Sequence, residues 1–359
     1  MCRRIIIMCW RQDIPDAACY FATNYCQLNY MLDTKNDTDG HLFFKIQPEF
    51  AGVRLDKALS ELLPDYSRAS IQQWLKRGLV LVDGAREKQK FRLSGDETLE
   101  ISIPQPQPAD WPAQEVEFEI IDQDADILVI NKPAGLVVHP GAGNADHTLL
   151  NGLLSIDEAF RTLPRAGIVH RLDKDTSGLL VVARSEIARQ RLIRQLQDHS
   201  MSRHYLAVVN GVMVAGEKID QPIGRHRQDR LRMCVTPSGK PAVTHIRVQS
   251  KFRNHCLIRA ELETGRTHQI RVHMSWRGFP LVGDKLYTGR VRLPPGANSE
   301  LSETLQQFDR QALHAERLSL VHPVSGEQKQ WQQPIPADLQ NLIHQLAADH
   351  RRHAAPADR

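Results

Sequence analysis

The chain has 359 residues, 41% of them hydrophobic, which is enough for two domains that each bury a core. Its 46 Lys and Arg against 42 Asp and Glu leave a formal charge of only +4, a balance that permits a nucleic-acid partner without requiring one. No apolar run approaches the roughly 18 residues that cross a bilayer, and the six cysteines lack paired C-x-x-C spacing, so no membrane span, zinc site or disulfide framework is expected and a cytoplasmic location fits best.

Residues 1–40 carry four of the cysteines, Cys2, Cys9, Cys19 and Cys26, and show no amphipathic period. They are expected to be a disordered extension or the product of a misassigned start, with Met8 and Met31 as alternative first residues. Ile5, Ile6, Ile7 and Met8 form too short an apolar run for a signal-peptide core.

From 50 to 103 the pattern is a small helical unit closed by strands. Leu55, Ala58, Leu59, Leu62 and Leu63 make one apolar helical stripe that Pro64 ends. A second helix starts at Ser67 as N-cap, buries Ile71, Trp74 and Leu75, and stops at Gly78. Leu79 to Val82 reads as a strand running into the turn pair Asp83-Gly84. Arg68, Lys76, Arg77, Arg86, Lys88, Lys90 and Arg92 are candidates to face an RNA backbone, although a merely solvated charged face explains them as well. With Arg54-Leu55-Asp56 and Ser67-Arg68, the unit resembles the S4 RNA-binding domain. Residues 104–114, with Pro104, Pro106, Pro108 and Pro112, read as an extended linker.

Residues 115–345 turn to strands. A hairpin is expected over 116–130, then strands at 205–209, 242–249 and 256–263, and one clear helix at 185–197 with Ile187, Leu192, Ile193 and Leu196 facing a core. A short helix over 268–275 is expected with Thr267 as N-cap. Many strands, few helices and no regular alternation predict an α+β fold with a largely antiparallel sheet. Residues 346–359 are expected to be a disordered tail.

Between the apolar pair Ile168-Val169 and the run 179–183 lies the polar segment His170-Arg171-Leu172-Asp173-Lys174-Asp175-Thr176-Ser177-Gly178. A carboxylate held there suits a nucleophile or general base, and an ordinary turn accounts for the composition equally well. By residue type alone Asp173 and Asp175 are rivals.

That segment resembles the His-Arg-Leu-Asp-x-x-Thr-Ser-Gly signature of the RluA family of pseudouridine synthases, matched at every fixed position. Leu262-Glu263-Thr264-Gly265-Arg266-Thr267-His268-Gln269-Ile270-Arg271-Val272-His273 and Asn131-Lys132-Pro133-Ala134-Gly135 resemble two further motifs of the family. Pro164-Arg165-Ala166-Gly167 and 308–314 place the resemblance nearest its RluD branch.

The resemblance implies an isomerase that converts uridine to pseudouridine in RNA, with Asp173 as nucleophile, Arg271 as its partner, Tyr205 as active-site tyrosine, Ile270 against the base and Arg171 helping to extrude it. Lys132, His139, His170 and Arg266 are weaker candidates to order loops or hold substrate. The branch implies large-subunit rRNA or the 50S precursor as partner, at the helix 69 stem-loop, with another rRNA or tRNA site as the alternative that sibling enzymes of the family offer. No cofactor or metal is expected, since the histidines show no H-E-x-x-H spacing. A monomer is expected. Three other classes compete: a silent RNA-binding protein, a kinase, whose Arg-Asp order and glycine-rich loop are not matched, and a glycosidase pairing Asp173 with Asp175.

Overall fold

The computed structural model describes residues 41–63, 68–102, 111–141, 143–229 and 231–354. The extension at 1–40, the expected cap Ser67, the side chain of Arg68 and the residues 103–110 of the expected linker lie outside the described set. The chain divides into two compact units, 1–105 and 106–359.

In the first unit, β1 (His41–Lys45), α1 (Leu55–Leu62), α2 (Arg68–Arg77), β2 (Val80–Val82), β3 (Ala85–Arg86) and β4 (Thr98–Ser102) follow in order. The sheet runs β1-β4-β2-β3, all antiparallel. The apolar stripe is used as its spacing dictates: Leu55, Ala58 and Leu59 are fully buried with Ile71, Trp74 and Leu75 against Val80, Val82, Leu99 and Ile101. Gly78 ends α2 in the left-handed region (φ 71°), and the Leu79 N–H reaches back to the Trp74 carbonyl at 3.0 Å. Asp83 (φ 48°) and Gly84 (φ 78°) make the two-residue hairpin turn between β2 and β3.

The second unit is built on a nine-stranded sheet. Its strands are β5 (Glu119–Gln123), β6 (Ile127–Lys132), β7 (Ser177–Ala183), β8 (Ser202–Asn210), β9 (Glu217–Asp220), β12 (Val243–Lys251), β13 (His255–Leu262), β14 (Leu313–Val321) and β15 (Gln328–Gln332). Between β9 and β12 stands a separate hairpin, β10 (Ile223–Arg225) and β11 (Met233–Val235). The order is β5-β6-β7-β14-β8-β13-β12-β9, with β15 also on β14. Every pairing is antiparallel except β7 with β14, so the expected α+β class with a largely antiparallel sheet holds.

Layers cover both faces. On one, Leu180, Val182, Tyr205, Ala207, Ile258 and Ala260 pack with Leu149, Leu150 and Leu153 of α3 (Leu149–Ile156) and Ile270 and Met274 of α5 (Gln269–Trp276). On the other, α4 (Glu186–Gln197) covers Val129, Leu179 and Val181, while α6 (Ser299–Gln307) and α7 (Ala337–His353) cover Val208.

Three expectations need correction. Ile187 is 57% exposed, and Ala188 takes its place beside Leu192 in the buried face of α4, because the first turn carries the stripe one residue later. Thr267 is not the N-cap of α5: His268 holds that position in the left-handed region (φ 57°), and the buried amide of Gln269 closes the preceding loop by accepting from Arg266 N–H at 2.9 Å. The tail is not loose from 346, because α7 continues to His353, burying Leu346 and pairing the buried Asp349 with Arg253 at 2.9 Å. No helix among the described residues is long and apolar enough to cross a membrane.

Candidate active site

The polar segment is pinned at both ends. Ile168 bridges Val182, and the segment then enters β7, every residue of which is buried. Within it the Thr176 N–H donates to the Asp173 carbonyl at 3.1 Å, and Gln311 donates to the Thr176 hydroxyl at 3.1 Å. The loop is thereby stiffened by flanking core, and Asp173 projects into a cleft of about 630 Å³ with Arg171, Tyr205 and Arg266.

Lys132, at the end of β6, ties a second loop to the first. Its side chain is fully buried, and its Nζ donates to the carbonyls of Pro133 (2.8 Å), Leu136 (2.9 Å) and Lys174 (2.8 Å). Burial pushes this amine down to about 7, against the pull of Asp175 and Asp173. Three carbonyls match the three protons of an ammonium, so the group serves as a knot between the two loops and not as a substrate contact.

Arg271 comes from the first turn of α5. Its Nη1 donates to Asp173 Oδ2 at 2.9 Å, while Nε and Nη2 clasp Asp284 at 2.6 and 2.9 Å. The guanidinium is desolvated, but these two carboxylates more than offset the penalty and hold it firmly protonated. It lies 5.1 Å above the ring of Tyr287, whose hydroxyl accepts from Met233 N–H at 2.9 Å. The same hydroxyl meets His268 Nδ1 at 2.9 Å, which leaves His268 Nε2 3.9 Å from Asp173 Oδ1. Burial holds the His268 imidazole below its ordinary value, hence neutral.

Tyr205 sits on β8 with 5% of its surface exposed, and burial raises its phenol above the ordinary value. Ile270 is buried beside Asp173, Tyr205 and Leu262 in a small recess that also holds Arg171 and Arg266. Arg171 is exposed at the rim, and Arg266 is anchored by an Nε bond to the Pro241 carbonyl at 2.9 Å. His170 faces the cleft, with Nε2 accepting from Val181 N–H at 3.3 Å. Burial, reinforced by Arg203, pushes it to about 3.

The cleft thus brings together Asp173, Tyr205, Arg171, Arg266 and His170, with Arg271 and Ile270 in the adjoining recess. Asp175 is displaced from it: its carbonyl accepts from Arg310 at 3.4 Å, and it does not line the cleft. Asp284, Tyr287 and His268 were not singled out by sequence. The only trace they leave is an acid beside a glycine after an apolar run, and a histidine within the later motif. In the first unit, Lys76, Arg77, Arg86, Lys88, Lys90 and Arg92 are all exposed. Of these, Arg92 is committed to the Gly52 carbonyl at 2.6 Å, and Arg86 lies against Gly78, where a Cβ would meet its guanidinium.

A carboxylate locked to a buried guanidinium, beside a tyrosine in an arginine-lined cleft, defines a site for acid–base or nucleophilic chemistry on a polyanionic substrate. Residues 126–276 match the family model for RNA pseudouridylate synthase, and residues 53–99 match the S4 domain. The ribosomal large subunit pseudouridine synthase D of Yersinia pestis is 52% identical over 299 residues, covering 83% of this chain and 92% of that one. Its counterpart in Escherichia coli (strain K12) is 49% identical over 308 residues, 86% and 94% of the two chains. Among solved structures, human RNA pseudouridylate synthase domain containing 4 superposes with a TM-score of 0.50 at 25% identity, covering 64% of this chain and 93% of that one.

The chain belongs to the RNA pseudouridylate synthase family, in the group typified by the D enzymes of the ribosomal large subunit. It is an isomerase that converts uridine in RNA to pseudouridine.

Proposed function

We propose that the substrate is large-subunit rRNA, at uridines of the helix 69 stem-loop, and that Asp173 is the nucleophile. The observation that carries the second point is the division of labour on the Asp173 carboxylate. Oδ2 is held by Arg271 at 2.9 Å, whereas Oδ1 has no hydrogen bond among the described residues. A carboxylate oxygen with free lone pairs, on a loop that cannot drift, is what attack at a ribose carbon requires.

The uridine is everted so that its C1′ meets Oδ1, with Arg171 at the rim pairing with RNA as the base leaves the stack. The N1–C1′ bond breaks either by direct displacement, giving an acylal, or after loss of the C2′ proton, giving a glycal. The freed uracil turns between Tyr205 and Ile270, and C5 bonds to C1′ as the Asp173–C1′ ester bond breaks and frees the carboxylate or, from the glycal, as C2′ takes back the proton that Asp173 had removed. The C5 proton then leaves to a base, restoring the aromatic ring as pseudouridine. Tyr205, kept a neutral phenol by burial, packs on the base and offers a proton where one is needed.

The substrate assignment rests on the names of the relatives at 52% and 49% identity. The S4 unit supplies affinity through phosphate contacts more than choice of site. The enzyme is further read as a cytoplasmic monomer, and the free thiols of Cys234 and Cys256 suit a reducing compartment. Pseudouridine mapping of cellular RNA with and without the gene tests the substrate. Loss confined to helix 69 is expected, and an unchanged helix 69 with loss elsewhere overturns the site. Asp173→Asn is expected to bind RNA and form no product, and normal turnover by that variant requires another nucleophile.

A further inference from the structure

Among the described residues, Arg203 is the one buried arginine of the cleft for which the chemistry above has no use. It lies on β8 two residues before Tyr205, so strand alternation puts both side chains on the same face. Its residue surface is 6% exposed, its Nε has no hydrogen-bond partner, and no carboxylate among the described residues pairs with it. Gly265 makes room for it: a Cβ there would lie 3.0 Å from Nη1, so the guanidinium rests on the backbone of the later motif.

Its surroundings are short of negative charge. Among the described residues Asp173 is the only carboxylate lining the cleft, and it is already bound to Arg271. Arg165, Arg171 and Arg266 line the same cleft as Arg203. Two more unpartnered buried atoms face it, His139 Nε2 and His170 Nδ1. Since His170 Nε2 accepts from Val181 N–H, the proton of the neutral ring resides on Nδ1, which is thus a free donor. A guanidinium removed from water without a counter-ion is costly unless an anion completes it. A uracil carbonyl would leave its charge uncompensated, whereas an RNA strand carries a phosphodiester on each side of every nucleotide.

We propose that Arg203 receives a phosphodiester oxygen of the RNA backbone next to the everted uridine, with His170 Nδ1 as a second donor. The proposal rests on the cleft being the uridine site. It makes Arg203 a substrate-binding residue that sets where the strand enters, separate from the Asp173–Arg271 pair.

The test is a double cycle on affinity with the full-length protein. An RNA stem-loop of helix 69 sequence is prepared with a single uncharged methylphosphonate 5′ or 3′ of the target uridine. For the parent protein, one of the two replacements is expected to weaken binding about tenfold or more, the scale of a charge-assisted hydrogen bond. Arg203→Met is expected to bind the unmodified RNA about tenfold more weakly, to lose nothing further from that replacement, and to lower the slope of log affinity against log salt by about 0.7 to 0.9. KM should rise with kcat within about threefold, and Arg203→Lys should recover part of the affinity. A methylphosphonate penalty that survives intact in Arg203→Met, or a fall in kcat with KM unchanged, overturns the proposal. If Arg203→Met loses its far-UV circular dichroism, the cycle is read on Arg203→Lys. Absence of pseudouridine in this stem-loop with the parent protein counts against the substrate assignment alone, because the affinity cycle needs no turnover.

Discussion

Asp284 grips two edges of the Arg271 guanidinium, Nε at 2.6 Å and Nη2 at 2.9 Å, and so leaves only Nη1 for Asp173. Asp284 is itself fixed, accepting from the N–H groups of Leu286 (3.1 Å) and Tyr287 (3.2 Å). It is a positioning residue with four donors and 1% exposure. Asp284→Asn keeps the shape but removes the charge and turns one acceptor into a donor. It is expected to lower kcat at least tenfold and to cost about 1–3 kcal/mol of stability in urea unfolding, the scale of a buried hydrogen bond to a charged group left unmade. Parent-like turnover with parent-like stability would show that Arg271 holds its place without this clasp.

The three principal candidates, which the structure brings together, could be picked out because each lies within or beside an ordered motif whose residue types carry the chemistry. Their support was not, because it is built across the chain. Arg271 meets Asp173 over 98 positions, and Arg310 braces the same loop from 135 positions away. Nothing local to Asp284 says that a guanidinium will reach it. The errors have the same origin. Thr267 is a good cap by type, but the loop is closed by Gln269, whose amide donates to Val243 O at 2.9 Å on a strand far away in sequence. The basic, polar end of the chain looked solvated, yet Leu346 and Asp349 are held by α6 and Arg253, partners no periodicity reveals.

In the S4 unit, Lys88 and Lys90 are exposed after the hairpin turn and are free to meet phosphate, unlike Arg92 and Arg86. The double change Lys88→Glu with Lys90→Glu is expected to weaken RNA binding several-fold and to flatten its salt dependence by one to two contacts' worth of slope, with kcat at saturating RNA unchanged. Filter binding across a salt series measures this. An unaltered slope would assign RNA contact to another face of the unit.

His255 is 1% exposed, and neither ring nitrogen has a partner. Burial pushes it to about 4, with Asp349 pulling weakly the other way. Because the unfolded chain takes up this proton near 6.5 and the folded chain only near 4, the unfolded state binds more protons between those values, and stability must fall as pH drops through that window. For this group alone the loss reaches up to about 3 kcal/mol. Urea unfolding of His255→Leu at pH 7 and pH 4.5 should show a smaller acid loss than the parent. An equal loss in the two proteins would mean that the ring is not buried neutral.

Gly178 is the second residue of β7, directly behind the Asp173 loop, and there the chain runs parallel to β14, with Ala315 as its partner. Its φ is 115°, and a Cβ would lie 2.3 Å from the Ala315 carbonyl oxygen and 2.7 Å from its nitrogen, both backbone atoms that cannot step aside. Gly178→Ala therefore combines a disfavoured backbone angle, worth about 1–3 kcal/mol, with a clash that the central β7–β14 seam has to absorb. The damage is directional: pushing β14 away displaces Arg310 and Gln311, which hold the Asp175 carbonyl and the Thr176 hydroxyl, and so unsettles the loop carrying Asp173. The variant is expected to lose several degrees in Tm and to lose turnover more than RNA affinity, since the exposed S4 lysines are untouched. Thermal unfolding and RNA binding measured on the same preparation separate the two effects. A variant with parent-like Tm and parent-like kcat would mean that β14 is not seated this close to the glycine.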